Sequence, residues 1–229
     1  MILVPVKHLS RAKQRLARVL GQSARTELAC QMLVDVVEAL SDHSQSRVAL
    51  VTSDPFALQL ADSRGLDVIH DTRNRSETDA IEAATEVAAG RGEESTLVLP
   101  ADIPLLEAED IRAIYQAAPE RGSVLVPSRD QRGTNAVLRR PAALFPLAFG
   151  TDSFMPHLAA AIATGSTCVV LSLARIALDV DTPEDLCRMA QAPGQKRSQL
   201  LARELGFLRT DSDVVRRGLL APDPVTSKA

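Results

Sequence analysis

Three aspartates and two lysines carry the first chemical signal in this chain. Leu97-Val98-Leu99 reads as a buried strand that stops at Pro100, which leaves Asp102 at the mouth of a sheet, and Pro104 ends regular structure. Further on, Ala177 to Leu186 offers Asp179 and Asp181. Residues i and i+2 on extended backbone face the same way. Mg²⁺ takes one or two carboxylates and completes its shell with water and phosphate oxygens. Asp102, Asp179 and Asp181 are therefore a candidate Mg²⁺ set if their strands are neighbours. Asp181 also has a purely structural reading, as a first-turn charge beside the cap Thr182-Pro183-Glu184.

Positive charge is concentrated at the start. Lys7, Arg11, Lys13, Arg15, Arg18 and Arg25 all precede the first acid, Glu27, although the whole chain has a net charge of −3. A basic loop directly after a first strand suits a polyanion such as a nucleoside triphosphate. Lys7 and Lys13 are the candidate phosphate contacts, with Arg15 beside them. Arg11, Arg15 and Arg18 also have the spacing of a solvated helix face. Carboxylates and lysines in one site suit nucleotidyl transfer, in which an anionic phosphate approaches a triphosphate. Two unit charges roughly 4 Å apart repel by about 4 kcal/mol at an effective dielectric of about 20. Cations must offset that repulsion, and little covalent work is left for the protein.

Two loops could receive a second anion. Arg132-Gly133-Thr134-Asn135 follows a strand, and Phe149-Gly150-Thr151-Asp152-Ser153 opens a helix. Gly150 permits close backbone approach, and a helix start offers free N–H groups. Thr134, Gly150 and Ser153 are the candidate contacts; the plainer reading is a turn and a helix cap. His157 lies among apolar residues and reads as structural, and His8 reads equally well as a solvated loop residue.

The elements that would position these residues alternate. Strands are expected at Met1–Val6, Arg47–Thr52, Leu66–Ile69, Thr96–Leu99, Ser123–Val126, Asn135–Leu138, Cys168–Leu171 and Ile176–Val180. Helices are expected at Ala24–Ser41, after Pro55, and at Glu77–Ala89, Glu107–Ala118, Ser153–Ala163 and Pro183–Met189. Leu28, Met32, Val36 and Leu40 mark the first helix. This alternation predicts an α/β fold, a Rossmann-like, mixed but mostly parallel sheet with helices on both faces. Ligands then sit beyond the carboxyl ends of the strands. From Gln191 the character changes. We expect a catalytic domain over residues 1–191 and a partly flexible extension over 192–229, with a short helix at Gln199–Leu205.

Composition narrows the classes. The 229 residues include five Phe, one Tyr and no Trp. That is too few rings for a base-stacking nucleic-acid platform or an aromatic-belted membrane protein. The polar residues of 153–174 argue against a membrane span. Three cysteines without a CxxC pair fit a reducing, cytoplasmic setting. No GxxxxGK[ST] and no post-strand GxGxxG occurs. Met32–Leu40 could serve an interface as well as a core, so a homodimer is an open expectation.

The motifs in order are PVKxLxxAKxRL (Pro5 to Leu16), ADIPLL (Ala101 to Leu106), RGTN (Arg132 to Asn135), FGxDSFxxH (Phe149 to His157) and DVDTPEDL (Asp179 to Leu186). Together they resemble the phospholactate guanylyltransferase family, which makes the activated phosphoacid used in assembling coenzyme F-420. The resemblance covers Met1 to about Met189. It implies a nucleotidyltransferase fold, GTP as co-substrate, Mg²⁺, and a three-carbon phosphoacid: 2-phospho-L-lactate, phosphoenolpyruvate or 3-phospho-D-glycerate. It implies that Asp102, Asp179 and Asp181 bind metal, that Lys7 and Lys13 hold the triphosphate, and that Thr134, Gly150 and Ser153 hold the phosphoacid, with Asn135 replacing Thr134 if the loop slips by one.

Two departures bear on specificity. A Leu-Asn pair that many members carry after the third strand is replaced by the segment Arg73-Asn74-Arg75-Ser76-Glu77-Thr78-Asp79, and a Gly-Thr-Gly-Thr-Thr loop by Gly133-Thr134-Asn135-Ala136. The rival readings are a nucleotidyltransferase for a pterin or sugar phosphate, and a non-catalytic nucleotide-binding regulator. The former generally shows a glycine-rich first loop, where this chain has Val4-Pro5-Val6-Lys7.

Overall fold

The computed structural model describes residues 1–42, 46–71 and 76–208. Residues Arg73, Asn74 and Arg75 of the departing segment, and the tail from residue 209, lie outside them. The strands are β1 (Ile2–Val6), β2 (Val48–Thr52), β3 (Asp67–His70), β4 (Thr96–Val98), β5 (Gly122–Pro127), β6 (Thr134–Arg140) and β7 (Thr167–Val170). The helices are α1 (Gln22–Ser41), α2 (Pro55–Arg64), α3 (Glu77–Gly90), α4 (Ala108–Ala117), α5 (Phe154–Ala163), the single turn α6 (Ala174–Ala177), α7 (Pro183–Gln191) and α8 (Arg197–Glu204).

The strands form one sheet in the order β3-β2-β1-β4-β6-β5-β7. Every pairing is parallel except those of β6, which runs antiparallel to both β4 and β5. Side chains alternate between two cores, as strand geometry requires. Ile2, Val4, Leu50, Leu97, Val124 and Leu138 face a core that α1, α2, α4, α7 and α8 cover. Leu3, Val51, Val98, Leu125 and Val137 face one covered by α3 and α5. The layers are thus helix, sheet, helix.

Local chemistry sets the helix starts. Asp54 caps α2, accepting from the N–H groups of Phe56 and Ala57, with Pro55 at the first position. Thr182 and Asp185 form a reciprocal capping box on α7, again with Pro183 first. Met32, Leu33, Val36 and Leu40 are buried in the intramolecular core, so α1 commits its apolar stripe there.

Two expectations fail locally. Ile176–Val180 is not a strand. The backbone makes the turn α6 and then runs irregularly, because Val180 donates its N–H to the Asp102 carbonyl and Arg129 donates to the Ala177 carbonyl. Those groups serve loop contacts instead of a ladder. The Arg11, Arg15, Arg18 spacing does not form a regular helix either. Two single 3₁₀ turns, Leu9–Arg11 and Gln14–Leu16, stand there, pinned by the buried Leu9 and Leu16.

α8 is held by a buried charge. Asp35 of α1 accepts from the N–H groups of Arg197 and Ser198, each at 2.9 Å, and from Ser198 Oγ. Ala202 and Phe207 extend the core beyond residue 192. Among the described residues no helix is long and apolar enough to cross a membrane.

Candidate active site

The carboxyl ends of β1 and β4 and the loop before α7 converge on one ammonium group. Lys13 Nζ lies 2.6 Å from Asp102 and 3.1 Å from Asp181. Its side chain is only 7% exposed. Burial alone would lower the Lys13 pKa, but the two carboxylates outweigh that and raise it above the ordinary lysine value. Lys13 reaches this position from left-handed backbone, φ +55° and ψ +42°. That conformation costs an L-residue about 1–2 kcal/mol, and strain of this kind gathers at functional sites. The loop is fastened around it: Leu9 donates its N–H to Asp54 at 2.9 Å, and Thr52 Oγ donates to the Val6 carbonyl at 2.8 Å.

The other basic residues spread outward. Arg15 reaches Asp181 at 3.3 Å and is 70% exposed. Lys7, at the end of β1, pairs with Asp71 at 2.7 Å and donates to the Ser76 carbonyl at 3.2 Å. Glu77 opens α3 and lines one cavity together with Lys7, Lys13, Asp102 and Asp181. Its carboxyl is raised to about 7 by desolvation and by the like charges of Asp102 and Asp181, against the lowering effect of Lys7 and Lys13. The residue is solvent-exposed, so the like charges are the firmer cause.

Asp179 stands slightly apart. Asn135 Nδ2 donates to it at 3.1 Å and to the Ile176 carbonyl at 2.9 Å. Burial raises the Asp179 pKa, the Asn135 hydrogen bond lowers it, and Asp102 and Asp181 add to the rise. Among the described residues no three His, Cys, Asp or Glu side chains form a ready-made metal cluster. The three aspartates instead split into a pair, Asp102 and Asp181, sharing one cation, and a third held by an amide. The pair is an all-oxygen donor set that already holds positive charge, which fits Mg²⁺ with one or two protein carboxylates.

Two cavities meet at Asp181. One, of about 550 Å³, is lined by Lys7, Lys13, Glu77, Asp102 and Asp181. The other, of about 770 Å³, is lined by Arg15, Arg132, Gly133, Gly150, Asp179 and Asp181 among others. Of the four residues expected at a second anion, only Gly150 lines this second cavity; it has φ +139°, which glycine adopts readily. Thr134 and Ser153 are buried, 6% and 3% exposed, in a network of their own. The Thr134 N–H donates to Ser153 Oγ at 3.0 Å, the Ser153 hydroxyl lies 3.3 Å from Thr134 Oγ1, and His157 Nδ1 lies 2.9 Å from that same atom. Asn135 faces Asp179.

Besides Arg15, the second cavity holds three arginines that sequence reasoning gave no role, Arg129, Arg132 and Arg188. Arg132 is tied to Asp152 in a bidentate pair, and Arg129 and Arg188 both reach Asp185. Arg132 directly precedes Gly133, which was the available signal. The Phe cluster packs as anchors would: Phe145 is buried in the second core, and Phe149 and Phe154 pack against it. The buried His157 is held down to about 4 by desolvation and by the charge of Arg139, so it is neutral near pH 7.

The chain is similar to named guanylyltransferases and to solved nucleotidyltransferase folds. A phosphoenolpyruvate guanylyltransferase of Roseiflexus castenholzii is 37% identical over 202 residues, covering 88% of this chain and 93% of the relative. A 2-phospho-L-lactate guanylyltransferase of Methanothermobacter thermautotrophicus is 33% identical over 184 residues, covering 80% and 81%. Among solved structures, one described as a candidate nucleotide-diphospho-sugar transferase from Desulfovibrio desulfuricans G20 superposes with a TM-score of 0.75 at 16% identity, covering 95% of this chain and 96% of that one. A Methanothermobacter nucleotidyl transferase superposes at 0.56 and 15% identity, covering 82% and 95%. Those two likenesses speak for the fold. The family model described as "Guanylyl transferase CofC like" matches residues 1–216, and the chain belongs to that family.

Proposed function

We propose that this chain transfers GMP from GTP to the phosphate of a three-carbon phosphoacid and releases pyrophosphate. The candidate acids are 2-phospho-L-lactate, phosphoenolpyruvate and 3-phospho-D-glycerate. The product would serve coenzyme F-420 assembly in the cytoplasm. The observation that carries this reading is Asp181, which borders two cavities while sharing a buried ammonium with Asp102. A two-substrate transfer between anions needs that arrangement: a pocket on each side and concentrated positive charge where they meet.

In this reading the GTP triphosphate lies in the cavity of Lys7 and Lys13, with Arg15 at its outer edge. The acid enters beside Gly133 and Gly150, supported by Thr134 and Ser153. A phosphate oxygen of the acid forms a bond to the α-phosphorus as the bond to the β-phosphate oxygen breaks, and pyrophosphate carries away the electron pair. No general base is needed, because the attacking phosphate is already ionised near neutral pH. Asp102 and Asp181 would hold Mg²⁺, with Asp179, fixed by Asn135, as a third carboxylate beside them; when bound, the ion would neutralise phosphate charge and align the oxygens. Residues 1–191 supply all of these groups, and 192–229 act as an extension.

The test is pyrophosphate release from GTP with each acid, with and without Mg²⁺, and with CTP in place of GTP. Release that requires GTP, one of the acids and Mg²⁺ is expected. Release with none of the acids, or a preference for CTP, overturns the proposal.

A further inference from the structure

His157 is fully buried in α5, and its two ring nitrogens have different partners. The backbone N–H of Ala148 donates to Nε2 at 2.8 Å. A backbone N–H can only donate, so Nε2 is the acceptor and carries no hydrogen. In a neutral ring the hydrogen must then be on Nδ1, which donates to Thr134 Oγ1 at 2.9 Å. The edge-on contact with Phe149, centroids 4.8 Å apart, holds the ring plane.

The hydrogen count of the neighbouring hydroxyls follows. Thr134 Oγ1 accepts from His157, and Ser153 Oγ accepts from the Thr134 N–H. The pair has two hydroxyl hydrogens. One suffices for the bond between the two oxygens. The other meets no protein acceptor among the described residues. The opposite histidine tautomer would consume it, because Nδ1 would then accept from Thr134. Gly133 and Gly150 line the second cavity, the first next to Thr134 and the second three residues before Ser153, while the two hydroxyl residues themselves are only 6% and 3% exposed.

We propose that His157 is a positioning residue for the acceptor substrate: fixed as the Nδ1–H tautomer by Ala148, it leaves the Thr134–Ser153 hydroxyl pair one hydrogen in excess, reserved for an anionic oxygen of the acceptor. The proposal rests on the phosphoacid reading of that cavity. It gives a buried histidine of a hydrophobic helix a chemical task without making it a base. It also accounts for two adjacent hydroxyls where one would cap a helix.

Two substitutions separate the two ring nitrogens. In His157→Asn the amide nitrogen falls near the Nδ1 position and keeps a donor to Thr134, while the contact with Ala148 is lost. In His157→Gln the amide oxygen falls near the Nε2 position and keeps an acceptor for Ala148, while the donor to Thr134 is lost. KM for phosphoenolpyruvate and KM for GTP are measured for both, together with thermal unfolding. The expected result is a phosphoenolpyruvate KM at least about fivefold higher in His157→Gln than in His157→Asn, with GTP KM equal in the two. In a Thr134→Val background the difference between Asn and Gln should vanish. A two-bond ¹H–¹⁵N spectrum of the parent chain should show hydrogen on Nδ1 and none on Nε2. Equal KM values for Asn and Gln, a GTP KM that rises in step, an effect that follows the melting temperature, or hydrogen on Nε2 each overturns the inference while the phosphoacid reading stands. A parent chain that turns over none of the three acids overturns both.

Discussion

The backbone N–H of Val180 donates to the carbonyl oxygen of Asp102 across 3.0 Å. This bond fastens the loop after β4 to the loop before α7, the two loops that bring Asp102 and Asp181 to the same Lys13 ammonium. It uses only main chain, so the carboxylates can be altered without undoing the junction. Asp102→Asn should therefore leave the fold intact, at a stability cost of about 1–3 kcal/mol because the buried Lys13 ammonium loses one of its two carboxylates, and lower turnover by on the order of 10²–10³-fold or more. Pyrophosphate release and urea unfolding check it; turnover near that of the parent chain would remove Asp102 from the site.

Lys13→Met keeps the length of the stem but removes the charge shared by two carboxylates. kcat/KM for GTP should fall by roughly 100-fold. Lys13→Arg should not restore it, because a planar fork cannot occupy the space of a compact ammonium held between Asp102 and Asp181. Initial rates at varied GTP concentration decide this.

Asn135→Leu takes the amide donor from Asp179 and from the Ile176 carbonyl. Loss of such a support typically costs 10- to 100-fold. The half-saturating Mg²⁺ concentration should rise, and excess Mg²⁺ should recover part of the rate. A Mg²⁺ titration unchanged from the parent would mean that Asn135 serves only the fold.

The neutral His157 has a signature in pH. Its ring titrates near 6.5 in the unfolded chain and at about 4 in the folded one. The unfolded chain therefore takes up the proton first as pH falls. The stability contribution is complete above about pH 6.5 and is lost progressively toward pH 4, about 3 kcal/mol in all. Urea unfolding at pH 7.5 and at pH 5 should show a loss in the parent chain that His157→Asn lacks. An equal loss in both would assign the acid sensitivity elsewhere.

Asp35→Ala removes three hydrogen bonds at the start of α8 from a carboxylate that is fully buried. Stability should fall by about 1–3 kcal/mol. Turnover at temperatures below the transition should hold, because Asp35 lies outside both cavities of the active site. Loss of activity in a fully folded variant would tie α8 to the chemistry.

Much of the fold is legible because its signals are local. The four-residue apolar spacing of α1, the Asp54-Pro55 start of α2 and the Thr182-Pro183 start of α7 each depend on neighbours in sequence. The strand expected at Ile176–Val180 misled because its apolar residues, Ile176, Leu178 and Val180, are buried under a loop instead of in a ladder. The direction of β6 is likewise invisible in its residues, since either direction buries the same faces. In the site, residue types at strand ends pointed to Asp102, Lys7 and Lys13. Asn135 could not be assigned to Asp179 from sequence, because the two meet only through the antiparallel return of β6. Arg129 and Arg132 were missed for a similar reason: their partners Asp185 and Asp152 are distant in sequence. Arg188 has a local partner, Asp185 one turn earlier on α7, and reads from sequence only as a helix-surface pair.

That single reversed strand has a consequence for how the cleft can change. In a fully parallel sheet every strand begins at the far edge and can offer the cleft only its last residues. Because β6 runs the other way, it offers its first residues, Thr134 and Asn135, beside the ends of β1 and β4. The turn from Ser128 to Gly133 then becomes an exchangeable cassette, anchored by the β5–β6 hairpin and carried on a different segment from the loop of Lys7 and Lys13. Under the proposed reading, acceptor preference would change through this turn by insertion or substitution while the loop that carries Lys7 and Lys13 keeps its register.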